Sequence, residues 1–180
     1  SPVEITANAN FNPVNREIVI DISGEFATNL YGDYRFNAII LEHEVGPYNQ
    51  ANNYVGYQPP LIAPVSGVNF STASNPASIK FDNVARAILG GFNGVIGSLP
   101  STIISGETHT YQYTHTLPAN HDENNTQVVG IVIDNNTGEI LNGIKVDLDF
   151  STNNKNITDN NSIVIYPNPT KNKLNIKGDY

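Results

Sequence analysis

The sequence predicts an all-β fold, an antiparallel β-sandwich of the jelly-roll or immunoglobulin-like kind, over residues 1–150. That region shows almost no helical periodicity, and apolar stretches of about ten residues alternate with clusters of turn-forming residues, as in sandwiches. Charged residues make up only 14% of the chain, and asparagine supplies much of its polarity. Because asparagine tolerates left-handed backbone and hydrogen-bonds to its own turn, its abundance favours a chain rich in β-turns.

The first predicted strand lies in residues 3–7, where apolar and polar side chains alternate, and the asparagine-rich residues 8–15 are expected to end it. The next strand carries three alternating isoleucines that should face the core: Ile18, Ile20 and Ile22. We expect a bulge at Gly24. Residues 34–45 form the longest predicted strand, with a centre at 38–41 that is apolar enough to be buried on both faces.

Later strands are predicted from cleaner alternation. In residues 108–116, threonines and Gln112 share one face, and the aromatic rings share the other: His109, Tyr111, Tyr113 and His115. Residues 128–133 and 140–150 are predicted to pair through a hairpin turn at 134–138, in which a glycine supplies the positive φ. The second of these strands should turn four side chains inward: Ile144, Val146, Leu148 and Phe150.

Residues 82–90 fit two structures. A short helix could begin at Asp82 as N-cap and stop at Gly90. A strand would instead place three apolar side chains on one face: Ala85, Ala87 and Leu89. The long β-strands predicted on both sides favour the strand.

Composition excludes several classes of function. The net charge is −8 and the pI is about 4.7, with scattered basic residues, so we expect neither nucleic-acid binding nor attraction to an anionic membrane. No apolar run is long enough to insert into a membrane. Zero cysteines exclude disulfides, thiol catalysis and cysteine metal sites. The sequence contains no methionine, even at position 1, and no signal peptide. We therefore expect it to be a mature or excised piece of a longer protein.

The last part of the chain is predicted to be a sorting signal. Residues 151–161 are polar and are expected to form a flexible linker. Beyond them, Tyr166-Pro167-Asn168-Pro169 interrupts an apolar strand, because proline fixes φ and removes a backbone donor, and a returning strand should follow. Residues 162–180 resemble the opening of the C-terminal sorting domain of Bacteroidota. That resemblance implies export by the type IX secretion machinery to the cell surface or the medium.

The body of the chain resembles a second family. Residues 34–47, 84–91 and 110–118 look like the twenty-eight-kilodalton outer-membrane-protein family of Bacteroidota. That resemblance implies a C-terminal sandwich, an association with the outer membrane and a preceding thioredoxin-like domain, but no defined activity. Members often carry a His-Asn-His run where this chain has three other residues: Phe81, Asp82 and Asn83.

Residues 46–64 are the predicted contact surface. They show no strand pattern, and long loops of this kind are usually functional or disordered. Aromatic rings alternate with amides, a combination suited to stacking against a neutral glycan or an extended peptide while hydrogen-bonding to its edge. The residues that we assign to ligand binding are Tyr48, Asn49, Gln50, Asn53, Tyr54 and Tyr57. The alternative is that the tyrosines fold back and fasten the loop to the sandwich.

No resident cofactor is predicted, and calcium is the cation that the loops would suit best. Two oxygen-rich turns flank the strand at 127–133 at its opposite ends, so they would form separate sites if they bound the ion. Their ligands would be Asp122 and Asn124 in one turn, and Asp134, Asn136 and Glu139 in the other. Solvated turns are the alternative.

We therefore predict a non-catalytic binding or adhesion module of a secreted or cell-surface protein. No Gly-x-Ser-x-Gly elbow is present to hold a nucleophilic serine. Two other functions remain open. One is a metal-assisted hydrolase of envelope or extracellular polymers that uses loop carboxylates: Asp33, Glu42, Glu44 or Asp122. The other is a structural subunit that assembles by strand exchange, for which an unpaired long edge strand would be the sign.

Overall fold

The computed structural model of the chain describes residues 1–56 and 68–150, together with the backbone of 164–166 and 175–177. The chain divides into two compact units, Ser1–Phe150 and Ser151–Tyr180. The first unit is an antiparallel β-sandwich, so the predicted fold class is confirmed. The predicted linker at 151–161 lies outside the described residues.

Turns and loops of differing length separate the strands of the first unit, and a 3₁₀ turn at Glu123–Asn125 precedes the tenth strand. In chain order the described strands are β1 (Val3–Asn12), β2 (Glu17–Phe26), β3 (Leu30–Tyr31), β4 (Tyr34–Glu42), β5 (Val45–Gln50), β6 (Ala77–Phe81), β7 (Val84–Ile88), β8 (Thr102–Ile103), β9 (Thr108–Thr116), β10 (Thr126–Asp134) and β11 (Glu139–Asp147). No helix among the described residues has the length and apolarity needed to cross a membrane.

Two sheets form the layers of the sandwich, one in the order β1-β2-β9 and the other in the order β11-β10-β4-β7. Two smaller pairs, β3–β8 and β5–β6, extend the ends. The core lies between the layers, because alternate residues of each strand point into it. Its centre combines the three predicted isoleucines of β2 with fully buried side chains of the facing sheet: Phe36, Ala38, Ile40, Val128 and Val132.

A seam between β1 and the end of β11 closes one side of the sandwich. The backbone N–H of Phe11 donates to the carbonyl of Asp149 at 2.8 Å, and the N–H of Asp149 donates to the carbonyl of Ala9 at 2.7 Å. These bonds form a parallel bridge between Asn10 and Asp149. At the far end of β1, the hydroxyl of Ser1 donates to the carbonyl of Leu141 at 2.9 Å.

The predictions for β1 and β2 were wrong in two details. The first strand continues through Asn12 rather than breaking at residues 8–15, because Asn8 and Asn10 occupy its solvent-facing positions while Ala9 and Phe11 stay buried. The β1–β2 ladder is continuous at Gly24, so no bulge forms there. A Cβ at Gly24 would lie 3.0 Å from Val3 Cγ2, so close packing explains the glycine.

The predicted long strand ends earlier than expected. Strand β4 stops at Glu42, and Glu44 adopts a left-handed φ of 54° before the chain re-enters a strand at Val45. The prediction of a loop beginning at residue 46 was therefore wrong, since Tyr48, Asn49 and Gln50 belong to β5. The centre of β4 is also not buried on both faces, because Ile39 and Leu41 are only half-buried on the outer face.

Two hairpin regions agree with the sequence predictions. Residues 82–90 contain strand β7 rather than a helix, with Asn83 at a φ of 55° in the turn that precedes it. Strands β10 and β11 pair around a turn in which Gly138 has a φ of 77°. At the end of this hairpin, Phe150 is 42% exposed rather than buried, although its ring meets Phe11 edge-on at 5.5 Å.

The second unit contains two strands, β12 (Val164–Tyr166) and β13 (Asn175–Lys177), which pair antiparallel with Val164 opposite Lys177. This is the strand-and-return arrangement that the sequence predicts. The residues between them, 167–174, lie outside the described part of the chain.

Candidate functional site

A cleft of about 400 Å³ lies at the end of the sandwich where β4 passes into β5. Strand β7 and the loop before β10 form its other walls. Polar side chains from these three elements line it, together with the ring of Tyr48.

Glu42 forms the floor of the cleft. It is the last residue of β4, in phase with the buried Phe36, Ala38 and Ile40, and it is only 6% exposed. Its Oε2 accepts a hydrogen bond from Arg86 Nε at 2.6 Å, and its Oε1 accepts one from the backbone N–H of Asp122 at 3.0 Å. Both oxygens are therefore satisfied, which a buried carboxylate requires. Glu42 thus ties three elements together.

The turn at His43 and Glu44 directs the chain from one wall to the next. The backbone N–H of Glu44 donates to Asp82 Oδ1 at 3.1 Å, and its carboxylate accepts from Lys80 Nζ at 3.1 Å. The His43 ring contacts the amide oxygen of Gln127, and its other ring nitrogen lies 3.8 Å from Asp82 Oδ1. These contacts hold the left-handed turn in place.

Tyr48 supplies the aromatic part of the rim. Its side chain is 57% exposed and lies beside Phe81, with ring centroids 6.4 Å apart. The β5–β6 register shifts between Val45 and Tyr48, so the two intervening residues bulge and re-aim the strand. An exposed ring therefore stands next to a polar floor.

The remaining predicted binding residues do not line the cleft. Asn49 and Gln50 are exposed on β5, and Asn53 and Tyr54 follow in the next loop. Tyr57 lies outside the described residues. The predicted set is thus divided between the cleft and the loop beyond it.

Asn52 holds the loop after β5 in place. The alternative hypothesis for residues 46–64 gave this role to the tyrosines. It is 2% exposed, and its Nδ2 donates to the carbonyls of Phe70, Ala73 and Ser74 at 2.7, 3.3 and 3.2 Å. Its Oδ1 accepts from the N–H of Tyr54 at 3.0 Å. One buried amide thereby joins two loop segments while Tyr54 stays half-exposed.

The two turns considered for calcium lie at opposite ends of β10, as the sequence predicts. Asp122 uses Oδ1 to accept from Asn124 and Oδ2 to accept from Asn125. Asp134 Oδ1 accepts from the N–H of Asn136 at 2.9 Å, and Glu139 begins β11. Across residues 1–56 and 68–150, no group of three or more His, Asp or Glu side chains is placed to hold a metal ion.

The four carboxylates of the hydrolase alternative are not gathered in one place. Asp33 precedes β4 and Glu42 ends it, so the strand separates them. The Arg35 guanidinium, with help from Asn135, lowers the pKa of Asp33 below its ordinary value. The other three, Glu42, Glu44 and Asp122, line the cleft. There Glu44 pairs with Lys80, and Glu42 accepts a hydrogen bond from the backbone N–H of Asp122.

Sequence reasoning did not select several of the lining residues, among them Arg86, Asn120 and Asn125. One signal could have located the first of them. Glu42 falls in phase with the buried face of an apolar strand, and a charge at such a position requires a partner. The partner's position depends on how β7 pairs with β4, which the sequence does not display.

No family model and no curated protein matches the chain. Among solved structures, it is similar to the crystal structure of a domain of the outer membrane lipoprotein Omp28 from Porphyromonas gingivalis. The two chains are 14% identical, the TM-score is 0.48, and the match covers 84% of this chain and 92% of the other. At this identity the likeness assigns the chain neither a family nor a function.

Proposed function

We propose that the chain is a non-catalytic binding module of a secreted or cell-surface protein, and that its cleft receives an uncharged glycan or an extended peptide. The observation that carries this proposal is the exposed Tyr48 ring beside a polar floor whose charges are already paired. A ring of this kind offers a stacking surface, and the surrounding amides offer hydrogen bonds to the edge of a ligand.

The charge balance of the cleft favours an uncharged ligand. Arg86 neutralises Glu42, and Lys80 neutralises Glu44. Asp122 keeps a net charge, but its oxygens are occupied by the amides of its own turn. Asn120 lines the cleft and is exposed, so its amide can offer hydrogen bonds to a hydroxyl or peptide group.

The state of the acids supports a binding role over catalysis. A general acid or nucleophile needs an oxygen directed at the substrate. Glu42, Glu44 and Asp122 each accept hydrogen bonds or ion pairs from their own chain. These carboxylates stabilise the fold by bonding to neighbouring segments of the chain.

A glycan and peptide array with purified protein tests the binding site. Tyr48→Ala should weaken binding about tenfold, which is the range expected for loss of one stacked ring. Tyr31→Ala is the matched control, because Tyr31 is 68% exposed and lies on β3, outside the cleft. Tyr54→Ala should bind like the parent. Loss of binding in Tyr54→Ala with none in Tyr48→Ala would move the site to the neighbouring loop.

We also propose that the chain is exported by type IX secretion and stays associated with the outer surface. The resemblance of residues 162–180 to a sorting domain supports this location. Export of the full-length precursor from a Bacteroidota host, with and without Tyr166→Ala and Pro167→Ala, tests it. We expect both variants to be retained in the cell, and unchanged secretion would contradict the proposal that residues 162–180 are a sorting signal.

A further inference from the structure

Strand β9 has a sequence that reads the same in both directions. Residues 108–116 are Thr-His-Thr-Tyr-Gln-Tyr-Thr-His-Thr, a palindrome centred on Gln112. In an antiparallel pair the two strands run in opposite directions, so a palindromic strand that meets its own copy opposes each residue with its own type. The order of residues therefore allows this strand to pair with its own copy with like residues facing each other.

The same strand lies at an open edge of its sheet. It pairs with β2 on one side, from Glu17 opposite Thr116 to Glu25 opposite Thr108, without a register shift. Within the part of the chain that the structure describes, no strand pairs with its other side. The opposite edge of this sheet, β1, is joined to the end of β11 by the seam described above.

The backbone groups at the open edge can be identified from the ladder. Leu117 N–H donates to the carbonyl of Arg16, and Phe26 N–H donates to the carbonyl of Glu107. Because bonding alternates along an antiparallel pair, the odd-numbered residues of β9 direct their backbone groups at β2. The even-numbered residues direct theirs away from it, and all of them are exposed: Thr108, Thr110, Gln112, Thr114 and Thr116.

This edge lacks the usual protection against pairing. Natural edge strands carry lysines, prolines or bulges that discourage contact with another chain. Residues 108–116 contain no lysine or proline, and their ladder with β2 is regular over nine residues. The strand is therefore a long, regular template for a further strand.

We propose that a second copy of this chain pairs with the open edge of β9 about a two-fold axis at Gln112. Gln112 then faces Gln112 of the second copy, Tyr111 faces Tyr113, and Thr110 faces Thr114. Threonine pairs and aromatic pairs are favourable across strands, and a two-fold contact repeats each of them. The two sheets join into one continuous sheet. This dimer is independent of the cleft proposed above.

The register follows from the same geometry. The backbone groups of Gln112 face the edge, so two copies of this residue exchange a pair of hydrogen bonds on the axis. A register shift of one residue would put the aromatic side chains of one strand on the same side of the joined sheet as the threonines of the other strand. A foreign peptide would gain nothing from the palindrome, which is why we assign the edge to a second copy.

Charge substitution on the axis tests the dimer, measured by sedimentation as a change from twice 19.6 kDa to 19.6 kDa. Gln112→Lys places two lysines opposite each other, and Gln112→Glu places two glutamates there, so each variant alone should raise the dissociation constant at least about tenfold. Mixing the two variants should restore the dimer, because lysine then faces glutamate. A parent chain that stays monomeric at several hundred micromolar would overturn the proposal.

Asn8 supplies the matched control. It is exposed on β1 in the same row of the sheet, opposite Asp21, which in turn lies opposite Gln112. Asn8→Lys and Asn8→Glu therefore change the charge beside the same carboxylate but away from the open edge. Both should dimerise like the parent. Equal loss of dimer in these variants would show that the effect is not located at β9.

Cysteine substitution tests the register, because the chain contains no cysteine of its own. Facing Cα atoms in a hydrogen-bonded pair are about 5.5 Å apart, within the range of a disulfide. Gln112→Cys should thus form a cross-linked dimer under mild oxidation. Thr110→Cys should not, because residue 110 faces Thr114, but Thr110→Cys combined with Thr114→Cys should. Equal cross-linking of Thr110→Cys and Gln112→Cys would refute the assigned register.

Discussion

Tyr113 carries a hydroxyl group that is buried without a hydrogen-bond partner among the described residues. Burial raises the pKa of this phenol, so it stays neutral, and its ring packs edge-on against Tyr111 at 4.9 Å. An unpaired buried hydroxyl is a cost to folding.

Tyr113→Phe should therefore raise the free energy of unfolding by about 1 kcal/mol, because the ring packing is kept and the unpaired group is removed. Denaturant unfolding measures this, in a Gln112→Lys background so that association does not contribute. Tyr111→Phe is the control for general effects of removing a hydroxyl from the pair. A loss of stability in Tyr113→Phe would mean that the hydroxyl has an unseen partner.

The Asp33–Arg35 ion pair gives a prediction for acid stability. Arg35 and Asn135 hydrogen-bond to the Asp33 carboxylate and lower its pKa below the ordinary value of 3.8. The pair therefore stabilises the fold fully above about pH 4, and the contribution is lost as the pH falls through the lowered value. Asp33→Asn should be less stable than the parent at pH 6, and the difference should shrink below pH 4. Urea unfolding across that range measures it, and a constant difference would contradict the assignment.

At the scale of elements, the loop at 51–56 depends on one amide. Asn52→Ala removes the donor that three carbonyls share, and leaving buried polar groups unpaired costs about 1–3 kcal/mol. We expect faster amide hydrogen exchange in residues 52–56 and 69–75, with little change in the sheets. Asn53→Ala is the control, because Asn53 is the exposed neighbour in the same loop. Unchanged exchange in Asn52→Ala would show that other contacts hold the loop.

Strand β5 shows why part of the fold could not be predicted from the sequence. After Val45 its side chains are all exposed, so it has no alternation of buried and exposed positions for a pattern to reveal. It exists because β6, more than twenty residues later, pairs with it. The alternation of β2 and β9 was predicted correctly, apart from the bulge at Gly24, because burial of one face imposes period two on their sequences.

The same reasoning applies to the cleft. Tyr48 could be selected because aromatic residues among amides stand out locally. Arg86 and Asn120 could not be selected, because they reach the cleft only through pairing between strands that are far apart in the sequence. Local chemistry is thus visible in the sequence, but its assembly into a site depends on the register between strands.

At the scale of the whole molecule, the two sheets pack tightly against each other at Gly130. A Cβ added there would lie 3.0 Å from Ile22 Cδ1, across the core from β10 to β2. Gly130→Ala should lower the free energy of unfolding by about 1–3 kcal/mol through overpacking. Ile22→Val removes that methyl group, so the double variant should recover part of the loss. A double-mutant cycle by thermal unfolding measures the coupling, and strict additivity would contradict this stacking of the sheets.

The seam between β1 and β11 also determines how the sandwich would respond to tension. The two strands run side by side in the same direction, with Ser1 beside Leu141 and Phe11 beside Asp149. A pull applied at Ser1 and Phe150 would slide the strands past each other in shear, so the hydrogen bonds along the seam would carry the load together. Resistance to such a force is governed by the rate of unfolding, so pulling along this axis would report on the strength of the seam.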